Sequence, residues 1–550
     1  MSRWAPEADS GPFLNVAAFA EEGERHRPQV PGPLIRVPVG TVLHAAVRNS
    51  LTDTLLIVGL NGAAGQGRDT LRLPPGARDS IRTIVMQPGT FAYYGHTMKS
   101  GKLQRHGPGE WLFGAFIVDS ANAEPDRIIV IKAWNDDPRF VMSMNGKSWP
   151  HTERLTLDIG DTLRLRLVNG SNSNHPMHLH GFYYDVTARG TWHADTVLPR
   201  ADQKLVVTET LLEFQTLSMR WVPSRSGNWL FHCHDAFHID GDQHAYLAGR
   251  DSAGPATHDA THHVQQDMAG LVMALSVRGE AIATAPSQSD RAVRLEVQPA
   301  IQRFGRDSTT LTYALAMPNA AGASGIGPVL ELRRGERTAI TVFNRLAEPT
   351  AVHWHGIELE SYYDGVAGWS GSAARLAPLI MPSDSFVAVM TPPRAGTFIY
   401  HAHADDERQI ALGLAGPLLV LEPGAARDPS RDHVWLFSVV GVRDSVPVVM
   451  NWMQPPEPLR AGVEHRIRII NITPGDVITM ELHDAQGIVR WRPVAKDGAD
   501  LGGSQATDRP ARLQLGSGET WDLIWRPRRG RYQLKVDTFN KFTVAIEAHD

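Results

Sequence analysis

Short runs of alternating apolar and polar residues recur along the whole chain. Examples are TLRLRLVN at 162–169, WLFHCH at 229–234 and TAITVF at 338–343. Every second side chain of a β-strand faces the same side of its sheet, so each run predicts a half-buried strand. Glycine or proline interrupts the pattern about every 8–12 residues, and no long run has a helical period. The pattern therefore predicts an all-β protein built from β-sandwiches.

The first segment of the chain resembles the third. GPLIRVPVGTVLHAAVRNSL at 32–51 is similar to GPVLELRRGERTAITVFNRL at 327–346. Further on, VGLNG corresponds to VHWHG, and GTFAYYGH corresponds to GTFIYHAH. The first copy has Gly59, Asn61, Tyr94 and His96 where the third copy has four histidines. Only one of the four imidazoles is therefore present in the first copy.

The second segment resembles the fourth in the same way. DRIIVIKAW, which begins at 126, corresponds to DHVWLFSVV, which begins at 432. SGNWLFHCH, which ends at 234, corresponds to RGRYQLKVD, which ends at 537. The fourth copy thus has Lys535, Val536 and Asp537 in place of His-Cys-His.

These repeats predict four Greek-key β-sandwich domains in an A-B-A′-B′ arrangement, with the chemistry in B and A′ only. The predicted domains are 1–122, 123–284, 285–424 and 425–550. Their boundaries fall in segments rich in glycine, proline and charged residues.

Composition excludes some classes of function. A net charge of -5 and a pI of about 6.6 give no basic surface, so nucleic acid is not an expected partner. The single cysteine excludes an intrachain disulfide. No apolar run approaches the ~20 residues of a membrane span. The apolar stretch FLNVAAFA near the N-terminus is predicted to be a strand, and no signal peptide is visible.

Four short motifs carry paired histidines: HPMHLH at 175–180, HCH at 232–234, HWH at 353–355 and HAH at 401–403. In a β-strand, residues i and i+2 point to one face and residue i+1 to the other. Each pair therefore directs two imidazoles towards one place. Cys233, the only cysteine, is expected to face away from its two histidine neighbours. Two metal centres would then be joined by a few covalent bonds.

Together, these motifs resemble the copper motifs of the multicopper oxidases, the family of the laccases. The domain order resembles a duplicated two-domain laccase that has kept one copper set, and it differs from the order in common three-domain laccases. The resemblance implies cupredoxin-like domains and about four coppers per chain: one of type 1, one of type 2 and two of type 3.

The resemblance also implies the ligands, residue by residue. The type 1 copper would be bound by His175, Cys233 and His238, with Met268 as its axial ligand. The type 2 copper would be bound by His178 and His353. The type 3 pair would be bound by His180, His232, His234, His355, His401 and His403.

The loop that follows the cysteine departs from the family pattern. An insertion, IDGDQHAYLAGRDSAGPATHDATH at 239–262, interrupts it. Two alternatives therefore stay open: His263 could replace His238, and Gln243 could replace Met268. The sequence also leaves open whether the trinuclear site forms within one chain or between chains, and what the oligomeric state is.

The implied function is that of a laccase. It would take single electrons from phenols or aromatic amines and reduce dioxygen to water, with Asp364 in YYDG as a catalytic acid near the type 2 copper. The alternatives are a metallo-oxidase acting on Cu(I), Fe(II) or Mn(II), or a copper or electron-transfer protein without catalysis. A periplasmic or secreted location is expected from the family.

Overall fold

The computed structural model describes residues 2–4, 14–23, 27–62, 69–99, 102–103, 111–136, 139–239, 268–280, 291–304, 307–315, 326–439, 448–451 and 456–550. Within these ranges the protein is almost entirely β-structure. The helix Asp406–Ala411 is short, and 3-10 turns form at Arg200–Asp202, Ala236–His238, Ser361–Tyr363 and Gly503–Ala506.

Many strands of the first half alternate between more and less buried side chains, as predicted, while others are buried throughout. The strands of the first domain are β1 Ser2–Trp4, β2 Leu14–Val16, β3 Ile35–Pro38, β4 Val42–Arg48, β5 Thr54–Val58, β6 Thr70–Leu73, β7 Arg78–Ile84, β8 Gly89–Lys99, β9 Lys102–Leu103 and β10 Phe113–Asp119. Those of the second are β11 Arg127–Asp136, β12 Arg139–Met144, β13 Arg154–Asp158, β14 Leu163–Asn169, β15 His175–Leu179, β16 Tyr184–Thr191, β17 Ala194–Val197, β18 Lys204–Val206, β19 Thr208–Leu211, β20 Gln215–Trp221, β21 Gly227–Cys233 and β22 Val272–Arg278.

The second half repeats this sequence of elements. The third domain has β23 Arg291–Phe304, β24 Asp307–Leu315, β25 Leu330–Arg333, β26 Thr338–Asn344, β27 Val352–His353, β28 Gly371–Ser372, β29 Arg375–Leu376, β30 Ser385–Met390, β31 Gly396–Ala402 and β32 Ala415–Leu421. The fourth has β33 Asp432–Val439, β34 Val448–Met450, β35 Leu459–Arg460, β36 His465–Asn471, β37 Ile478–Asp484, β38 Gly487–Ile488, β39 Arg490–Lys496, β40 Ala499–Asp500, β41 Arg509–Pro510, β42 Arg512–Leu515, β43 Thr520–Trp525, β44 Gly530–Asp537 and β45 Lys541–His549.

Sheet topology confirms the A-B-A′-B′ arrangement. In the second domain one sheet has the order β12-β11-β14-β20-β16-β17, and the fourth domain repeats it as β34-β33-β36-β43-β39-β40. The order β3-β10-β8-β5 of the first domain returns as β25-β32-β31-β27 in the third. Each domain also has its own large cluster of buried apolar side chains. The fold class is therefore confirmed, whereas the boundaries near 122, 284 and 424 stay predictions.

The two halves also share a polar contact between their domains. Arg166 of the second domain binds Asp126 at 2.6 Å and contacts the hydroxyl of Thr90 in the first domain at 3.3 Å. In the second half, Arg468 binds Asp432 at 2.6 Å and the hydroxyl of Thr397 at 2.7 Å. The A–B pair is therefore packed in a similar way twice.

The second and third domains are joined by strand pairing as well. The hairpin β28–β29 of the third domain extends a sheet of the second, because Gly371 pairs with Asn228 on β21. The hydroxyl of Ser361 donates to the carbonyl of Asn228 at 2.6 Å. Strand β21 is thus held by both domains.

Replacing Arg468 by methionine is expected to destabilise the pair formed by the third and fourth domains. The guanidinium is almost fully buried and also bonds Asp522 at 3.1 Å, so its loss would leave buried carboxylates without their cation. Breaking such a group costs about 3–5 kcal/mol, measured by chemical denaturation. Arg529→Met is the matched control, because its pair with Asp550 is exposed; a surface pair is worth less than about 1 kcal/mol. Equal effects of the two substitutions would contradict this prediction.

Candidate metal centre

Strand β21 lies at the centre of the site, with its neighbour β15 beside it. The two strands run antiparallel, with Met177 opposite Cys233 and His178 opposite His232. Cys233 belongs to the apolar core of the second domain, while the rings of His232 and His234 join a cluster of imidazoles. This is the alternation of side chains expected for a strand.

Two imidazoles meet the thiol of Cys233 in the core. The sulfur lies 3.7 Å from Nδ1 of His175 and 3.5 Å from Nδ1 of His238, and these two nitrogens are 3.3 Å apart. All three side chains are buried. One soft sulfur and two imidazoles form the donor set of a blue-copper site.

Each imidazole beside Cys233 has a local reason for its position. His238 lies on the 3-10 turn that Asp235 caps by accepting from the backbone NH of Phe237. Nε2 of His175 lies 2.7 Å from the hydroxyl oxygen of Ser171, which donates its own proton to the side chain of Asn169. The serine oxygen therefore accepts from Nε2–H, and Nδ1 of His175 is left to face the sulfur.

The position of His238 supports its choice as the second type 1 imidazole. Met268 is buried in the same apolar core as Cys233. Both assignments stay predictions, because the competing residues His263 and Gln243 lie outside the described residues.

Eight further imidazoles form one buried cluster behind β21. Four come from the second domain and four from the third: His178, His180, His232, His234, His353, His355, His401 and His403. Close contacts cross between the domains, with 3.3 Å between Nε2 of His178 and Nε2 of His353. The structure therefore brings all eight predicted ligands together within one chain.

The cluster contains several sets of nitrogens close enough for one ion. The ligand atoms of His234, His355 and His401 lie within 4.8 Å of one another, as do those of His178, His180 and His232. The first set draws on both domains, whereas the second lies within the second domain. The division into type 2 and type 3 ligands stays a prediction.

One ring nitrogen of most of these imidazoles is held by a hydrogen bond. Nδ1 donates to a backbone carbonyl in His178, His232, His353 and His401, at 2.7–3.0 Å. In His355 the bonded nitrogen is Nε2, which lies 3.2 Å from the hydroxyl of Thr208. Such bonds fix the ring orientation and the tautomer, and leave the second nitrogen available to a metal.

Buried ring nitrogens without a hydrogen-bond partner indicate whether a metal ion fits the histidine cluster. Among the described residues, Nε2 of His234, Nδ1 of His355 and Nε2 of His401 are buried without a hydrogen-bond partner. A buried polar atom without a partner costs free energy that a coordinated ion would offset. Burial also lowers the pKa of His232 and His401 to about 3, so the rings are neutral, as ligation requires. The residues therefore fit a group of copper ions.

Asp364 joins the cluster, as its motif predicted. It is fully buried, and its carboxylate accepts from Nδ1 of His180 at 2.8 Å and from the hydroxyl of Ser370 at 3.2 Å. Its backbone carbonyl accepts from Nδ1 of His353 at 2.7 Å. Burial raises the pKa of this carboxyl above its usual value. Gly365, with φ +95°, permits the close approach, because a Cβ there would lie 2.0 Å from the carbonyl oxygen of Val352.

Sequence reasoning missed the groups that hold these rings. Thr208 lies on β19, and Ser517 of the fourth domain lies 3.1 Å from Nδ1 of His234. The sequence had placed no chemistry in the fourth domain. No local motif marks either residue, because each reaches the site only through the packing of separate segments.

Two sequence profiles described as multicopper oxidase match the chain, over residues 122–249 and 319–425. These segments contain most of the predicted ligands. These two segments therefore match multicopper oxidase domains, which confirms the resemblance found in the motifs. The family implies copper as the metal.

Curated relatives match shorter stretches. Copper resistance protein A of Escherichia coli is 35% identical over 117 residues, which cover 20% of this chain and 17% of that protein. Laccase-2 of Pleurotus ostreatus is 28% identical over 205 residues, 36% of each chain. A multicopper oxidase of Mycobacterium tuberculosis is 30% identical over 176 residues, 31% of this chain and 30% of that one. The match thus spans less than two thirds of each relative.

A solved multi-copper oxidase from Pseudomonas thermotolerans is similar at 24% identity, over 48% of this chain and 65% of that chain, with a TM-score of 0.38. The fold is defined by the strand order of the sheets. Among the described residues, no helix has the length and apolar character to cross a membrane.

Replacing Thr208 by valine is expected to loosen the ring of His355. The hydroxyl also lies 3.0 Å from Nδ1 of His178, so its loss affects two predicted ligands. Such groups change metal affinity by about 10–100-fold, and copper retained against a chelator measures the loss. The control is Thr216→Val, because the buried hydroxyl of Thr216 has no partner among the described residues. Unchanged retention in Thr208→Val would contradict the prediction.

Proposed function

We propose that the protein is a laccase-type oxidase. It takes single electrons from phenols or aromatic amines at a type 1 copper beside Cys233. It reduces dioxygen at a trinuclear copper cluster among the eight imidazoles. Four electrons and four protons convert each O2 to two waters, so four molecules of a one-electron donor are oxidised for each O2 reduced.

The placement of Cys233 between His232 and His234 carries this proposal. The thiol meets His175 and His238 on one side of β21, and its neighbours reach the imidazole cluster on the other. A ligand of one centre is thus bonded covalently to ligands of the next. A storage protein has no need of such a connection, whereas an oxidase must move electrons from an outer donor to oxygen.

The chain's own residues supply the remaining functions. Bound copper would provide one-electron chemistry and oxygen binding. Burial lowers the pKa of the imidazoles and keeps them neutral, while carbonyls, hydroxyls and Asp364 orient them. Buried side chains, including Met177 and Phe231 beside Cys233, exclude water from the thiol.

Replacing Cys233 by serine tests the function. The copper-loaded wild type should be blue, contain about four coppers per chain and consume oxygen with a simple phenol. The variant should lose the colour, about one copper and steady turnover, since its hydroxyl is a poor substitute for a thiolate. Metal analysis, visible absorption and an oxygen electrode give the three readouts. Oxygen consumption that survives the substitution would overturn the electron route, and a wild type with about one copper would indicate a carrier.

Two substitutions of Asp364 separate positioning from proton transfer. Asp364→Asn keeps an oxygen acceptor for Nδ1 of His180 but removes the acid, so copper should be retained while turnover falls. Asp364→Ala removes the acceptor as well, so copper retention should fall by about 10–100-fold. Metal analysis and oxygen uptake as a function of pH measure both effects. Full turnover in the asparagine variant would exclude Asp364 as a proton donor.

A further inference from the structure

The fourth domain contributes no imidazole to the cluster, yet one of its loops lies against it. This loop, residues 516–519, connects β42 to β43. Ser517 is fully buried, and its hydroxyl oxygen lies 3.1 Å from Nδ1 of His234. The contact joins positions 283 residues apart in the chain.

Counting protons gives the direction of this hydrogen bond. The hydroxyl of Ser517 donates its single proton to the carbonyl of Thr473 at 2.5 Å. Its oxygen must therefore accept from Nδ1–H of His234. Nε2 of His234 is then the bare nitrogen, and it is the buried one that has no partner among the described residues. Ser517 thus selects the tautomer that presents Nε2 to the cluster.

The next residue, Gly518, leaves room for two of the rings. A Cβ at this position would lie 2.7 Å from Cδ2 of His234 and 2.9 Å from Cε1 of His355. Its φ of +77° is also one that side chains rarely adopt. Any larger residue would displace imidazoles from both the second and the third domain.

Buried charges fix this loop to strand β19 of the second domain. The carboxylate of Glu519 accepts from the backbone NH of Thr210 at 2.8 Å and from its hydroxyl at 2.7 Å. The ammonium of Lys496 donates to the carbonyl of Thr208 at 2.7 Å and pairs with Glu209 at 2.5 Å. All of these side chains are buried. Strand β19 in turn pairs with β15, which carries His175 and His178.

Asp497 completes the attachment. Its carboxylate accepts from the backbone NH groups of Val207 and Thr208, both at 3.2 Å, and from that of Thr520 at 2.9 Å. One carboxylate therefore bonds β19 of the second domain and β43 of the fourth. The loop that carries Ser517 and Gly518 cannot move away from the imidazoles without breaking these bonds.

We propose that the fourth domain, which has lost its own copper motif, positions the copper site of the second and third domains through Ser517 and Gly518. Ser517 is a positioning residue that acts through His234, and Gly518 keeps the space that the rings require. This inference rests on the proposed function, because it assumes that His234 binds copper. Domain four is thus a structural part of the trinuclear site.

Ser517→Ala tests the proposal, with Ser438→Ala as its control. Ser438 is a buried serine of the same domain whose hydroxyl has no partner among the described residues. Both full-length variants are loaded with copper and dialysed against a chelator. Copper per chain, the electron paramagnetic resonance spectrum and the melting temperature of the copper-free protein are then compared with the wild type.

The expected result is specific to one ion. Ser517→Ala should retain copper about 10–100-fold less well at the position bounded by His234, His355 and His401. Loss of one copper from a coupled pair leaves an unpaired spin, so a new paramagnetic signal should appear while the blue absorption persists. Ser438→Ala should match the wild type in copper content and spectrum.

The experiment distinguishes failure of the positioning role of Ser517 from failure of the proposed function. If the wild type binds about four coppers and Ser517→Ala retains copper equally well with an unchanged spectrum, the positioning role alone is overturned. Wild type that binds no copper overturns the proposed function itself. An equal loss of copper in both serine variants would also contradict the proposal, since only one hydroxyl contacts a ligand.

Discussion

The structure depends on side-chain alternation along β21. Cys233 faces the core of the second domain, while the residues on either side of it face the imidazole cluster. The register of this strand is fixed on both sides, because Cys233 pairs with Met177 on β15 and His232 pairs with Val272 on β22. A slip of one residue would exchange the thiol and the imidazoles between the two centres. Both centres therefore depend on one strand and its two neighbours.

Neutral imidazoles are the second constraint. Burial lowers the pKa of each ring whose shift is resolved, His178 and His353 among them, and so favours the uncharged form. A buried imidazole needs a partner for its N–H, and backbone carbonyls, hydroxyls and Asp364 supply one. The opposite nitrogen is then left without a proton. The fold thus prepares a set of neutral donors before any metal is bound.

Both halves of the duplicated chain have kept the packing between their two domains, but not all of the histidine motifs. In each half, an arginine (Arg166 or Arg468) bonds an aspartate of its own domain and a threonine of the preceding domain. Packing within each A–B pair was therefore conserved between the copies of this chain. Complete histidine pairs survive only where B meets A′. The fourth domain, B′, is nevertheless bonded to the strand beside the imidazole cluster. The bonds come from Lys496, Asp497 and Glu519.

The sequence predicted the features that depend on local spacing. The i, i+2 pairs, the alternation in β21 and the order of the repeats are properties of short segments, and the fold class and the meeting of the eight imidazoles followed from them. Thr208 and Ser517 could not be found in this way. Thr208 reaches His355, and Ser517 reaches His234, only because separate domains pack together. A serine or threonine in a strand or turn carries no signal of such a contact. The predicted metal ligands can thus be identified from local motifs. Some of the hydrogen bonds that orient their rings are also local, such as that of His232 to the carbonyl of Cys233, whereas those of His355 with Thr208 and of His234 with Ser517 depend on how three domains pack.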